Sequence, residues 1–138
     1  MPAYLIVANQ TLASPILGEA VAARIAAGDA SFHVVVPATP VPHGLTWNEQ
    51  EAVSAAQSRL DGVLARLRAM GVEVTGEIGS QDPVAAVQDA MRGGEFAEII
   101  LSTLPPGISR WLRQDVPTRL RHAVAPPVTV VIPPAATA

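Results

Sequence analysis

Residues 4–36, YLIVANQTLASPILGEAVAARIAAGDASFHVVV, carry the pattern on which the fold rests. Tyr4-Leu5-Ile6-Val7-Ala8 is a short apolar run closed by the polar Asn9-Gln10-Thr11, and it reads as a buried strand. Ser14-Pro15 then supplies a helix start, a capping side chain followed by proline at the first helical position. Ile16, Leu17, Ala20, Val21 and Ile25 recur at helical spacing until Gly28-Asp29. Phe32-His33-Val34-Val35-Val36 is a second, β-branched strand halted by Pro37. Strand, helix and strand in that order make the repeating unit of a parallel sheet.

The alternation continues to the other end of the chain. After a proline-rich loop over 37–45, Thr46-Trp47-Asn48-Glu49 matches a capping box, in which the threonine and glutamate satisfy each other's orphan backbone donors. The helix that follows carries its apolar stripe on Val53, Ala56, Leu60, Val63, Leu64, Leu67 and Met70, and Gly71 ends it. Val72-Glu73-Val74-Thr75-Gly76-Glu77-Ile78 alternates with period two, which predicts an edge strand with one polar face. Asp82-Pro83 opens a further helix, with Val84, Val87 and Met91 on one face, and Gly93-Gly94 stops it. Glu98-Ile99-Ile100-Leu101 is the fourth strand, residues 108–122 a helical stretch interrupted at Pro117, and Val128-Thr129-Val130-Val131-Ile132 the fifth strand. Five strands alternating with four helical segments predict an α/β fold, a Rossmann-like five-stranded parallel sheet with helices on both faces. The expected organisation is a single domain over 1–134 and a flexible tail over 135–138.

Composition excludes much chemistry. Charged residues make up 15%, well under the average of about 25%, so the sequence is that of a compact core and not of a disordered chain. There is no cysteine, and all nine basic residues are arginine. Thiol nucleophiles, disulfides, Cys-ligated metals, Schiff bases and the lysine of the phosphate loop are thereby removed. A net charge of −3 argues against a nucleic-acid partner held by the overall field. No apolar stretch is long enough to span a bilayer, and Met1-Pro2-Ala3-Tyr4 lacks the basic region of a secretory signal, so no membrane association and a cytoplasmic location are expected.

In an open doubly wound sheet, ligands bind beyond the carboxyl ends of the strands. That rule selects Asn9, Gln10, Thr11, Val36, Ser102, Thr103, Pro105, Gly107 and Ser109 as candidate pocket residues. His33, His43 and His122 lie on different elements without ligand spacing, so no metal is expected. Ser102 has no identifiable base, and Glu95 and Glu98 flank the wrong, amino-terminal end of the fourth strand. Nothing builds an acid/base pair, and the expectation is a non-enzyme.

Ala8-Asn9-Gln10-Thr11, Gly71-Val72-Glu73-Val74, and Glu98-Ile99-Ile100-Leu101-Ser102-Thr103 leading on to the fifth strand resemble the universal stress protein A family over nearly the whole chain. The resemblance implies the adenine-nucleotide alpha hydrolase-like strand order 3-2-1-4-5 and a stress-linked binding or regulatory module. Members of that family typically have Val-Asp-Gly-Ser where this chain has Ala8-Asn9-Gln10-Thr11. In nucleotide-binding members the fourth strand runs into a glycine, two residues, a glycine, nine residues, then Gly-Ser or Gly-Thr. Here Ser102 and Pro105 replace the first two glycines, Gln114 the third, and Asp115 the Ser/Thr, with the spacer 106–113 one residue short. Asp115 before Val116-Pro117 reads as an N-cap carboxylate that would take the backbone donors itself and repel a phosphate. An altered pocket, no required cofactor and no ATP binding in the family's manner follow. The alternative is an adenine-nucleotide binder that uses a rearranged site.

Arg110, Arg113 and Arg119, with Arg121, concentrate basic charge around Asp115 and are the candidate anionic contact, for phosphate or for an acidic protein partner. The structural account pairs Asp115 with Arg119 at i, i+4 and leaves the other arginines on a solvated face. Trp111 is read as cover for the sheet edge, with a pocket lid or a partner anchor as its rivals. The apolar fifth strand would lie at a sheet edge, and an uncovered edge of that kind tends to be paired, so a homodimer through 128–132 is expected.

Overall fold

The structure is a computed structural model that describes residues 2–8, 15–38, 49–103, 112 and 115–132. Its elements are β1 (Ala3–Ala8), α1 (Pro15–Ala26), β2 (Ser31–Pro37), α2 (Glu49–Ala69), β3 (Glu73–Gly79), α3 (Pro83–Met91), β4 (Glu98–Ser102), α4 (Val116–Ala123) and β5 (Val128–Val131). All strand pairs are parallel, in the order β3-β2-β1-β4-β5. The central strand β1 therefore has β2 on one side and β4 on the other, and the chain winds outward in both directions from it.

Period-two alternation in the strands sorts the apolar residues to two faces. Ile6, Val34, Val36 and Ile100 pack with Leu17 and Val21 of α1 and Ala56, Leu60, Val63, Leu64 and Leu67 of α2. Leu5, Val7, Val35, Ile99 and Leu101 pack with Ala86, Val87 and Ala90 of α3 and Val116 and Leu120 of α4. Each fully buried side chain of this size contributes about 1.5–3 kcal/mol. Burial on both faces explains why β1, β2 and β4 read as near-continuous hydrophobic runs.

Two glycines fix helix positions. Gly71 has φ +82, the left-handed conformation that closes α2. At Gly79, a Cβ would come within 2.7 Å of the Ala86 Cβ and 2.8 Å of the Val35 Cγ1, so α3 can lie on the end of β3 only over a residue without a side chain. Asp82 caps α3, its carboxylate accepting the Val84 N–H at 3.2 Å.

Three expectations need correction. Val53 and Met70, at the ends of the α2 stripe, are exposed at 42% and 37%. Leu60 and Leu64 sit over Gly76, and Val53 lies about 10 Å further along the helix, toward its amino-terminal end. Met70 follows the last helical residue. The 108–122 stretch divides just ahead of Pro117: Leu112 is helical, Asp115 lies in a turn, and Pro117 occupies the first turn of α4, where a missing N–H costs nothing. Ile132 lies past the end of β5 and is exposed. The capping box beginning at Thr46, the Ser14 cap, the start of the 108–122 stretch and the tail lie outside the described residues.

Candidate functional site

The strand order reverses between β1 and β4, and this is where a doubly wound sheet opens a crevice at its carboxyl edge. Ala8 and Ser102 are register neighbours there, and Ser102 is also opposite Val131 of β5. Among the described residues Ser102 and Thr103 are the two buried polar ones, both fully buried, and the Thr103 N–H donates to the Val131 carbonyl at 3.0 Å. Val36, buried, stands next to Pro37 at the carboxyl end of β2 on the same edge. Of the expected pocket, the structure thus brings Val36, Ser102 and Thr103 to the carboxyl edge. Asn9, Gln10, Thr11, Pro105, Gly107 and Ser109 lie outside the described residues, as do Arg110, Trp111, Arg113, Gln114 and His43.

The expectation for Asp115 is overturned in its chemistry. Asp115 precedes α4 in the N-cap position, but its backbone is left-handed, φ 54 and ψ 41, and its carboxylate makes no capping hydrogen bond. Side-chain capping requires an extended backbone that aims the oxygen at the second or third helical N–H, and the left-handed conformation does not provide it. The Asp115 carbonyl instead accepts the Arg119 N–H at 3.1 Å. The guanidinium of Arg119 reaches across to Asp82, the α3 cap, at 3.5 Å, and not to Asp115. Arg121 turns away from this group altogether, donating to the Val128 carbonyl at 3.3 Å. Among the described residues the arginines are therefore not one anion site: Arg119 ties α4 to α3, and Arg121 ties α4 to β5.

The amino edge of the sheet holds polar groups that no single segment of sequence discloses. Arg24, in the last turn of α1, donates through Nε to Glu98 Oε1 at 3.0 Å and through a terminal nitrogen to Oε2 at 2.7 Å. Its other terminal nitrogen donates to the Ala20 carbonyl at 2.9 Å. Thr129 of β5 also donates to Oε2 of Glu98. The Arg24 hydrogen bonds, against an opposing cost of burial and with help from Thr129, hold the Glu98 carboxyl below the usual carboxylate range. The same bond raises Arg24 above its ordinary value, while Arg59 on α2 is lowered by burial.

A second cluster at this edge joins β2 to β3. His33 is opposite Thr75 in register; its Nδ1 lies 2.7 Å from Thr75 Oγ1 and its Nε2 3.2 Å from Glu77 Oε2. These three residues border a cleft of about 510 Å³ together with Phe32, Glu73, Glu95 and Phe96. The polar face expected for β3 is thus real, but its partner is a histidine 42 positions away, and only the pairing register brings the two together. Among the described residues no group of three metal-ligating side chains could hold a metal ion, and no helix is long and apolar enough to cross a membrane.

No family model matches this sequence, and no curated protein is similar to it. Among solved structures, the chain is similar to a protein from the universal stress protein family of Burkholderia pseudomallei, with 19% identity over 94% of each chain and a TM-score of 0.59. That likeness shows the fold, the five-stranded parallel sheet with order 3-2-1-4-5 flanked by helices.

Proposed function

We propose that this chain is a universal-stress-protein-like binding or regulatory module of a stress response, acting through an altered pocket at the carboxyl edge of its sheet and as a homodimer paired through β5. The observation that carries the reading is the reversal of strand order at β1 and β4, with the buried hydroxyl residues Ser102 and Thr103 at the crevice it opens. Likeness to a solved member of that family over 94% of the chain supports it. The role assigned to the carboxyl edge is binding without turnover, with no cofactor required. For the dimer, the support is the position of β5 at the sheet edge and the exposed Ile132 beside it.

Thermal shift with ATP, AMP and cyclic nucleotides tests the pocket, because a ligand that binds only the folded chain raises its midpoint by mass action. A flat response is expected throughout. A rise with any of them favours the second reading, an adenine-nucleotide binder with a rearranged site. One observation favours that reading: Asp115 leaves the backbone donors of α4 uncapped, so its carboxylate is not their occupant. Light scattering at micromolar protein tests the assembly; a mass of two chains is expected, and a monomer overturns that part.

A further inference from the structure

Thr75, His33 and Glu77 form a hydrogen-bonded chain along the amino edge, and the order of its atoms has chemical content. A carboxylate offers only acceptors, so the contact between His33 Nε2 and Glu77 Oε2 places the ring hydrogen on Nε2. Nδ1 is then a lone pair, and the hydroxyl of Thr75, 2.7 Å away, is the donor to it. Nucleophile, base and orienting carboxylate follow one another within proton-transfer reach. The His33 ring is further held by stacking on Phe96, with centroids 6.2 Å apart and planes at 23°.

We propose that Thr75 is an activated hydroxyl that accepts an acyl group from an uncharged or cationic carboxylic ester, with His33 as general base and Glu77 as the positioning residue. The ester would lie in the cleft of about 510 Å³, whose size suits a small organic molecule and which Phe96, stacked on His33, borders with an apolar ring. Glu73, Glu77 and Glu95 line the cleft without any arginine, which sets the charge preference against anionic esters. The N–H groups of Gly93 and Gly94 are used by the Ala90 and Met91 carbonyls. Those of Glu95 and Phe96 have no backbone acceptor among the described residues.

In the step, Oγ1 of Thr75 forms a bond to the ester carbonyl carbon while its proton passes to Nδ1 of His33. The tetrahedral adduct collapses with cleavage of the bond to the alcohol oxygen, which leaves with the proton from His33. Thr75 is left as an ester, one alcohol is released, and no oxidant or further reactant is needed. The inference is independent of the carboxyl-edge pocket, at the opposite end of the strands.

Incubation of the full chain with para-nitrophenyl acetate, read by nitrophenolate release and by peptide mapping, tests it. One acetyl group on Thr75 and one equivalent of nitrophenolate are expected. His33→Ala should slow the burst by about 100-fold, and Thr75→Val, which keeps the β-branched shape, should abolish it. Both variants should keep the wild-type circular dichroism and Tm within a few degrees, because both positions face the open cleft. An undiminished burst in Thr75→Val, or acetyl on other residues only, overturns the proposal. Nitrogen NMR of the His33 ring should show the Nε2–H tautomer, lost in Glu77→Gln together with rate and restored in Glu77→Asp; an unchanged tautomer in Glu77→Gln removes the positioning role. An ester bearing a trimethylammonium group should react faster than one bearing a carboxylate, and the reverse order overturns the substrate class.

Discussion

The two edges of the sheet differ in how their polar side chains are held. At the amino edge, Arg24, Glu98 and Thr129 interlock across three elements, with Arg24 and Glu98 less than a fifth exposed. At the carboxyl edge, the ion pair between Arg119 and Asp82 is long, half exposed on both sides, and joins only the first turns of two helices. Partial burial of a bidentate pair makes its loss costly, whereas solvent competes for an exposed one. Among the described residues the stronger ion pair thus lies at the edge away from the crevice.

Removing the amino-edge carboxylate should break this contrast most clearly. Glu98→Ala leaves Arg24 and Thr129 without their shared acceptor, and we expect a loss of about 2 kcal/mol. That corresponds to a fall in Tm of about 7 °C by calorimetry. Acid titration sharpens the same point. Because Glu98 titrates lower in the folded chain than in the unfolded one, its stabilisation is complete above the usual carboxylate range and is lost as pH falls through the depressed folded-state value. Denaturant midpoints should therefore drop below about pH 4, and the drop should be shallower in Glu98→Gln.

Smaller effects separate the two aspartates at the carboxyl edge. Asp82→Ala removes a working cap and should cost about 1 kcal/mol in urea unfolding. Asp115→Gly relieves a left-handed backbone and gives up no cap, so it should be neutral or stabilise by about 0.5 kcal/mol. If Asp115→Gly instead costs as much as Asp82→Ala, the side chain is capping after all. Smallest is Arg119→Ala, whose exposed pair should change stability by no more than about 0.5 kcal/mol in the same assay. A loss as large as that of Glu98→Ala would abolish the distinction between the edges.

The fold was legible in the sequence because each element carried its own signal: the apolar run of β1, the Asp82-Pro83 start of α3, and Gly71 after α2. Each depends on residues within a few positions of one another. The edge clusters depend on register instead. Nothing local pairs His33 with Thr75 or Arg24 with Glu98, which stand 42 and 74 positions apart. Glu98 stands at the amino-terminal end of β4, as its place in the sequence predicts, but its work there, gathering donors from α1 and β5, needs the parallel pairing of β4 to β5 to be known first. Asp115 failed for the opposite reason. Its neighbours Val116-Pro117 gave a sound local signal for a cap, and a left-handed aspartate is a conformation that no residue pattern announces.

The carboxylate of Glu98 also bears on the order in which the chain can become stable during synthesis. Arg24 emerges with the first helix, Glu98 with the fourth strand, and Thr129 only with the last. A nascent chain that ends before β5 holds an anion with one donor missing and a bare edge on β4 where Ile99 and Leu101 await their partners. Neither the β4–β5 ladder nor the full set of donors to Glu98 can therefore form before β5 has been synthesised.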